Sequence, residues 1–313
     1  MTSLLSAHSR QVCTLAYFGH LYRSGAPVNL IGRLAQADHP RIPNHEILQS
    51  HTNMTGPLSY IGGKNRIATK IIELFPKHKT YVEVFAGGAQ VLFRKEPSTV
   101  EVLNDLDGDV VNFFRVCQSH AEELVRYMTF MVTSREWFDL LEDEDPKNLT
   151  DVQRAARFFY LQKNAYAGLI RHRKFGYAIE EPSRFNPERM PELIENTHRR
   201  LARVQVECLP YEDILQRYDR PTTLFYLDPP YFGRKLYRFN FSDGDFRVLA
   251  QRLQNLRGKF VLSLNDVPEV RSLFSRFRLH EIDLPYTAQR KPGRRYRELL
   301  IANFSPRSKK ATR

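Results

Sequence analysis

The sequence predicts an α/β protein with a doubly wound, mainly parallel sheet that is interrupted by a mainly helical insert. Three observations lead to this prediction. Short apolar strands occur early and late in the chain, the first of them runs through a glycine-rich turn into a helix, and residues 135–203 are helical, basic and aromatic without such turns. Strand, glycine-rich turn and helix form the opening unit of doubly wound folds.

Composition places the chain among globular proteins. Of its 313 residues 42% are hydrophobic, which is enough for one large core or two smaller ones. There is no apolar run of about 18 residues and no signal-peptide core near the start. Cys13, Cys117 and Cys208 are far apart, without Cys or His at zinc-ligand spacing. We therefore expect a cytoplasmic protein with reduced, buried thiols, no membrane span, no disulfide and no metal site.

Basic charge is concentrated in two segments. The formal net charge is +12, for which solubility alone is the simplest explanation. However, Lys163 to Lys174 holds four Lys or Arg residues and no acid, and Arg290 to Arg297 holds five and no acid. Basic clusters with aromatic neighbours are typical of surfaces that bind polyanions. Nucleic acid is the partner that this distribution favours.

Residues 1–53 differ from the remainder of the chain. They contain five of the ten histidines and no lysine, and no helical or strand period is sustained in them. An ordered pattern begins directly after Met54. We interpret 1–53 as an N-terminal extension that is disordered or not native, with a short accessory domain as the alternative.

The first motif is a glycine-glycine turn at Tyr60 to Asn65. Apolar residues then follow a 3.6-residue period until Pro76, which predicts a helix with Asn65 as its N-cap. A helix start next to Lys64 is suited to an anionic group, although a simple turn explains the glycines equally well.

The second motif begins with the predicted strand Tyr81 to Phe85, which leads through Gly87 and Gly88 into a helical run. Another strand, from Thr99 to Leu103, ends at Asp105. In doubly wound folds a carboxylate at this position usually accepts hydrogen bonds from ribose hydroxyls. The alternative for Asp105 is a helix N-cap, a role that Asp107 could also fill.

Within the helical insert, aromatic residues fall into two groups. We assign Phe158 and Phe159 to the core, because an aromatic stripe at helical spacing is usually buried. Tyr166 and Arg171, which flank Gly168, are better suited to contact a base stack or base edges.

The most informative feature is the strand Leu224 to Leu227, which runs directly into Asp228-Pro229-Pro230-Tyr231. Proline has no N–H and a fixed φ, so the two prolines end the sheet ladder and leave carbonyl oxygens available. A carboxylate, free carbonyls and an aromatic ring aimed into one pocket would suit a planar amine. A proline-rich turn without function is the alternative. A basic, aromatic loop, 232–241, follows.

In order and spacing, these motifs together with Tyr211 to Asp213 and the ending Glu298 to Asn303 resemble the Dam-type family of adenine-N6 DNA methyltransferases. The resemblance covers residues 56–304 and no part of 1–53. It implies a Rossmann-like methyltransferase sheet built from 54–131 and 204–305, an inserted target-recognition domain at 132–203, and a basic tail at 306–313.

The resemblance also implies site residues. The residues that would bind S-adenosylmethionine are Tyr60, Lys64, Glu83, Phe85, Gly87, Gly88, Asp105, Asp213 and Asp228. The catalytic residues would be Asp228, Pro229, Pro230 and Tyr231. Contacts to DNA would come from Tyr166, Leu169, Arg171, Arg173, Lys174, Arg234, Lys235, Arg290, Arg294 and Arg295. Several GATC-specific members carry Asn where this chain has Ala167, so the resemblance does not establish GATC as the target sequence.

The expected function is methyl transfer from S-adenosylmethionine to N6 of a flipped-out adenine in double-stranded DNA. We expect a monomer without metal or membrane partner, associated with the nucleoid of a bacterium or encoded by a phage. Two alternatives remain at this stage. One is a methyltransferase for RNA or for a protein amide, although such amide enzymes favour Asn at the position of Asp228. The other is a DNA-binding protein of the same fold without catalytic activity.

Overall fold

The computed structural model of the chain describes residues 54–60, 62–176, 180, 182–283 and 297–305. The predicted extension 1–53, the tail 306–313, Cys13 and the candidate DNA contacts Arg290, Arg294 and Arg295 lie outside these residues.

Across the described residues, seven strands form one sheet. They are β1 (Thr80–Glu83), β2 (Val100–Asn104), β3 (Val204–Glu207), β4 (Thr223–Leu227), β5 (Lys259–Asn265), β6 (Arg278–Asp283) and β7 (Arg297–Ala302). Their order is β3-β2-β1-β4-β5-β7-β6. The first five strands in this order are parallel, whereas β7 lies antiparallel to both of its neighbours. The predicted doubly wound α/β sheet is confirmed, with an antiparallel strand inserted near one edge.

Helices cover both faces of the sheet. Their bounds are α1 (Ala68–Glu73), α2 (Gln90–Arg94), α3 (Gly108–Ser119), α4 (Ala121–Met128), α5 (Arg135–Asp143), α6 (Asp151–Asn164), α7 (Met190–Leu201), α8 (Tyr211–Tyr218), α9 (Asp243–Gln254) and α10 (Pro268–Leu273). The helix α9 begins with a capping pair, since Ser242 and Asp245 bond to each other's backbone N–H. The prediction of Asn65 as an N-cap is wrong. Lys64–Arg66 form a 3₁₀ turn instead, and α1 begins only at Ala68.

The core consists of two apolar clusters, one on each face of the sheet. Side chains of a strand alternate between faces, so Tyr81 on β1 belongs to one cluster and Val82 to the other. The strand β4 is buried along its whole length, as expected for the centre of a parallel sheet. The helices α8, α9 and α10 cover one face, and α1 to α7 pack together on the opposite face.

The predicted insert therefore shares a core with the first part of the chain. Phe158 and Phe159 on α6 are fully buried, which confirms their assignment to the core. The Phe159 ring stacks on Phe113 of α3 with 5.4 Å between ring centroids. Such contacts tie α6 to the helix that follows β2, so the helical segment is integrated with the sheet rather than only tethered to it.

The cysteines only partly match the prediction. Cys117 and Cys208 are both free thiols, and Cys117 is buried in the core on α3. Cys208 is exposed, contrary to the prediction, because it lies just past the end of the edge strand β3. In the part of the chain that the structure describes, no helix has the length and apolar character needed to cross a membrane.

Candidate functional site

A cavity of about 500 Å³ opens at the carboxyl ends of β1, β2 and β4. This is where ligands bind in open parallel sheets, because the loops after adjacent strands diverge there. The cavity brings together nine predicted residues: Tyr60, Lys64, Glu83, Phe85, Gly87, Gly88, Asp105, Asp228 and Pro230. Asp213 is not among its lining residues, because on α8 its side chain is exposed while Tyr211 and Glu212 line the cavity.

The glycine turn after β1 forms a bare-backbone wall of this cavity. Gly87 has a φ of 45°, a left-handed backbone conformation that residues other than glycine rarely adopt. A Cβ at Gly87 would stand 2.9 Å from the ring of Tyr60, and one at Gly88 would stand 3.2 Å from the carbonyl oxygen of Leu58. Glycine at both positions thus keeps the cavity open beside the aromatic ring of Tyr60.

Asp105 lies at the end of β2 and is bonded to the same turn. Its Oδ2 accepts a hydrogen bond of 2.8 Å from the Gly87 N–H, and its Oδ1 accepts one of 2.8 Å from the Asp107 N–H. Burial raises the pKa of Asp105 to about 6, against the lowering effect of these two bonds. The N-cap of α3 is Asp107, so the alternative role for Asp105 does not apply.

Glu83 is the second buried acid of the cavity wall. Its Oε2 accepts hydrogen bonds of 2.8 Å from the Tyr81 hydroxyl and of 2.8 Å from the Leu92 N–H. Burial raises the pKa of Glu83 to about 8, although both bonds act in the opposite direction. Glu83 is therefore largely protonated at neutral pH, and it ties the end of β1 to α2.

Asp228 follows β4 directly and faces the cavity. The Lys64 Nζ donates to both of its oxygens, at 2.7 Å to Oδ1 and 2.8 Å to Oδ2, and also to the Tyr231 hydroxyl at 2.9 Å. Burial raises the pKa of Asp228 to about 6, the Lys64 charge opposes this, and the negative charge of Glu298 adds to it. Pro229 and Pro230 are buried. Asp228 and Pro230 line the cavity, whereas Pro229 and Tyr231 are not among its lining residues. Tyr231 is linked to Asp228 through Lys64, which donates to both side chains.

Lys64 is more deeply buried than a helix-start anion site would require. Burial alone would lower its pKa, but the carboxylates of Asp228 and Glu298 raise the pKa well above the usual value. The ammonium group is therefore positively charged in this setting. Because its ammonium group is already paired with Asp228 and Glu298, Lys64 is not available to bind the anionic ligand that was predicted for this turn.

Glu298 lies at the start of β7. The sequence pattern indicated it only as part of the terminal motif and gave it no role in the site. Its Oε1 lies 3.3 Å from the Lys64 Nζ, and it accepts a hydrogen bond from the Ser263 hydroxyl on β5. The side chain is 3% exposed. The signal in the sequence was an acid leading into the apolar run Leu299 to Ala302. Only the pairing of β7 with β5 brings this acid to Lys64.

The loop 232–241 after the motif forms the opposite wall of the cavity. Tyr237 stacks on Tyr60 with 6.3 Å between ring centroids. The Arg238 guanidinium donates to Asp107 Oδ1 at 3.0 Å and to Asp109 Oδ2 at 2.5 Å, which fastens the loop to the start of α3. The predicted contacts Arg234 and Lys235 are exposed on this loop.

Most candidate contacts of the insert lie on a loop that begins where α6 ends. A β-bridge between Ala165 and Phe175 closes this loop. Tyr166 is 65% exposed, Arg171 and Lys174 are exposed, and Leu169 is half-buried. Ala167 has a φ of 54°, a region in which Asn is less strained than Ala.

Arg173 differs from its neighbours on this loop. Its side chain is 2% exposed, and its guanidinium donates to Gln162 Oε1 at 3.2 Å and to Glu142 Oε2 at 2.9 Å. A buried, paired guanidinium does not present a charge to a phosphate. Arg173 therefore holds the loop to α5 and α6 and is not part of the exposed surface.

Among the residues that the structure describes, no group of three or more His, Cys, Asp or Glu side chains is arranged to hold a metal ion. The acids of the cavity are instead each bonded to backbone N–H groups, hydroxyls or cations, as described above. Asp105 and Asp228 line the cavity with hydrogen-bond acceptor groups.

Comparison with known proteins agrees with this geometry. Residues 60–288 match the family described as D12 class N6 adenine-specific DNA methyltransferase. The chain is 27% identical over 239 residues to the Type II methyltransferase M.MjaIII of Methanocaldococcus jannaschii, covering 66% of this chain and 82% of that protein. It is 24% identical over 240 residues to the Retron Ec67 DNA adenine methylase of Escherichia coli, covering 73% and 84%.

A third relative is the DNA adenine methylase of Escherichia coli, which is 22% identical over 265 residues, covering 80% of this chain and 95% of that protein. The family match spans well over half of the chain and includes the glycine turn, the insert and the Asp228 motif. The resemblance drawn from the motifs is thereby confirmed. The chain belongs to the D12 class N6 adenine-specific DNA methyltransferase family.

Proposed function

We propose that this protein transfers a methyl group from S-adenosylmethionine to N6 of an adenine that is flipped out of duplex DNA. The observation that carries this proposal is the position of Asp228. Its carboxylate faces the same cavity that Gly87, Gly88 and Asp105 line. A hydrogen-bond acceptor for an amine and a bare-backbone cleft for a nucleoside cofactor therefore meet in one cavity.

The cavity fits S-adenosylmethionine in size and in chemistry. Its volume of about 500 Å³ lies within the ordinary range for small-molecule sites. A side chain at Gly87 would collide with Tyr60, so the turn favours a ligand lying against the backbone. Asp105 would accept hydrogen bonds from ribose hydroxyls, and Tyr211 and Glu212 line the same end of the cavity. When bound, S-adenosylmethionine supplies an electrophilic methyl group on a sulfonium centre.

The residues of the Asp228 motif would prepare the amine for attack. Adenine N6 is a weak nucleophile because its lone pair is delocalised into the ring. If an Asp228 oxygen and the Pro229 carbonyl accept the two N6 hydrogens, the nitrogen moves toward tetrahedral geometry and its lone pair becomes available. Positioning and fixed dipoles then supply the acceleration, without a covalent enzyme intermediate. After transfer, one N6 proton is released to solvent.

Tyr231 would hold the flipped base. Extrusion of a base costs a few kcal/mol, and stacking on an aromatic ring offsets part of that cost. We propose that the insert 132–203 provides target recognition, with contacts to DNA from Tyr166, Leu169, Arg171 and Lys174, and that Arg234 and Lys235 on the loop 232–241 add further contacts. All of these side chains except the half-buried Leu169 are exposed, which supports this role.

The test is transfer of tritium from labelled S-adenosylmethionine to unmethylated plasmid DNA, with RNA and a protein mixture as competing acceptors. We expect label in DNA, recovered as N6-methyladenine. Asp228→Ala should abolish transfer while it preserves most DNA binding, because it removes the acceptor without altering the exposed basic loops. Asp283→Ala, at an exposed position of the edge strand β6, is the control and should behave like the wild type. An Asp228→Ala variant with near-normal turnover would refute the assignment.

A further inference from the structure

A second buried carboxylate faces the ammonium group that holds Asp228. The Lys64 Nζ contacts both oxygens of Asp228, at 2.7 and 2.8 Å, and lies 3.3 Å from Glu298 Oε1. The side chains of Lys64 and Glu298 are 5% and 3% exposed. Both oxygens of Asp228 are thus engaged by Lys64 before any base enters the cavity.

The proposed function requires one of these oxygens. In an exchange of partners, the N6 amine of adenine takes the place of Lys64 at that oxygen, and Lys64 then loses one of its acceptors. Because Lys64 is buried, water does not readily replace that acceptor, and a buried ammonium group without full pairing is costly. An alternative anionic acceptor within reach would lower the cost of the exchange.

Glu298 is such an acceptor. It is fixed on β7, and the Ser263 hydroxyl of the adjacent strand β5 donates a hydrogen bond to the oxygen that faces Lys64. Lys64 and Glu298 already form an ion pair at 3.3 Å, and a small displacement of the Lys64 ammonium from Asp228 toward Glu298 would shorten it to the length of a charge-assisted hydrogen bond. Lys64 would keep its proton and its pairing throughout, and one oxygen of Asp228 would become free.

We propose that Glu298 is a positioning residue to which Lys64 shifts when the amine of the target adenine binds Asp228. This inference rests on the proposed function and adds a step to it. Glu298 touches neither the base nor the cofactor in this scheme, and it acts only through Lys64. The charged and titratable groups around Asp228 are Lys64, Glu83, Tyr226, Tyr231, Tyr237 and Glu298.

The experiment compares Glu298→Gln with the wild type on a duplex whose target site has first been found by sequencing methylated plasmid. We expect the variant to lower kcat roughly 10- to 100-fold, the range for misplaced reacting groups. A duplex with 2-aminopurine at the target position reports base flipping by fluorescence. This base has no amine at position 6, so its flipping does not involve the exchange at Asp228. We therefore expect the variant to show the flipping signal and the affinity for S-adenosylmethionine of the wild type.

The pH profile provides a further readout. Glu298 raises the pKa of Asp228, so loss of its charge should move the acid limb of kcat/KM to lower pH. Glu281→Gln is the matched control, since this exposed glutamate lies on the neighbouring strand β6, and it should change neither kcat nor the acid limb. A purely structural role for Glu298 would not move the limb.

Two results would overturn the inference: wild-type kcat with an unmoved acid limb, or a parallel loss of cofactor binding, flipping and methylation. If Glu298→Gln does not fold, Ser263→Ala takes its place, with a smaller loss of kcat expected and the same two contrary results. Methylation of plasmid by the wild type tests the proposed function itself. An inactive wild type would contradict the proposed function, whereas an active wild type with an unaffected Glu298→Gln variant would contradict only this inference.

Discussion

At the scale of single residues, the role proposed for Asp228 requires a carboxylate that is both buried and ionised. Burial protects the reacting amine from water but favours the protonated acid, which is a poorer acceptor. Lys64 opposes this effect through two short hydrogen bonds to the carboxylate. The result is a pKa of about 6, which leaves most of Asp228 ionised at neutral pH.

This balance predicts the acid limb of the pH profile. Above about pH 6 the Asp228 carboxylate accepts the N6 hydrogens, and below it the protonated form accumulates. At saturating S-adenosylmethionine, kcat/KM for duplex DNA should therefore fall about tenfold per pH unit below that value. Circular dichroism at each pH verifies that the protein remains folded. A flat profile down to pH 5 would show that ionised Asp228 is not needed.

Tyr231 offers a separate residue-scale test, because its ring and its hydroxyl can be removed one at a time. The Lys64 Nζ lies over the ring, 4.9 Å from its centroid, and donates a hydrogen bond of 2.9 Å to the hydroxyl. Tyr231→Ala should weaken capture of the flipped base by about 1–3 kcal/mol, measured as kcat/KM with duplex DNA. Tyr231→Phe keeps the ring and should lose less. Equal losses in both variants would assign the effect to the hydroxyl instead of stacking.

At the scale of elements, the turn after β1 shows how a local backbone requirement shapes the cavity. Gly87 and Gly233 both have positive φ, at 45° and 72°. A Cβ at Gly87 would meet Tyr60 at 2.9 Å, whereas a Cβ at Gly233 would have no atom within 4 Å. The two glycines therefore separate the cost of backbone strain from the cost of lost space.

Replacement of each glycine by alanine tests this distinction. Both variants should lose about 1–2 kcal/mol of unfolding free energy, because a left-handed conformation is strained for alanine. Only Gly87→Ala should also weaken S-adenosylmethionine binding, by roughly tenfold or more, since its methyl group displaces the Tyr60 ring. Calorimetric titration measures the affinity and thermal melting the stability. Comparable cofactor affinity in the two variants would argue against the glycine turn as a cofactor site.

Local patterns predicted most of the elements and the residues that lie at strand ends. The strand β4, the glycine turn, the Ser242 cap and the buried Phe158 could all be recognised because neighbouring residues determine them. Glu298 and the burial of Arg173 could not, because each depends on contacts between segments far apart in sequence. Likewise, the periodic pattern of α8 did not fix how the helix is rotated about its axis. This rotation leaves Asp213 exposed and places Glu212 at the cavity.

At the scale of the whole molecule, the separation of exposed from buried basic residues defines the surface available to DNA. Arg171 is exposed on the loop 165–175, whereas Arg173, two positions later, is buried against Glu142. From the sequence alone, both residues are equally good candidates for a contact to DNA. Burial divides them into a candidate phosphate contact and a structural ion pair.

The two arginines therefore predict different phenotypes. Arg171→Gln should reduce the slope of log affinity for DNA against log salt concentration by about one, with unchanged stability. Arg173→Gln should lower the unfolding free energy by about 1–3 kcal/mol, because it leaves Glu142 and Gln162 without their partner. DNA binding at several salt concentrations and chemical denaturation measure the two effects. The reverse pattern would place Arg173, not Arg171, at the phosphate backbone.

The bridge between Ala165 and Phe175 has a consequence for engineering. Backbone hydrogen bonds from Tyr166 to Lys174 and from Gly176 to Asn164 close the same loop, and the residues between them project mostly into solvent. A transplant of whole helices from a relative would have to rebuild a shared interior. A cassette of residues 166–174 would exchange mainly a surface, provided that the buried Ile170 and Arg173 in it are retained, which makes this loop the natural unit for testing the proposed role of the insert in target preference.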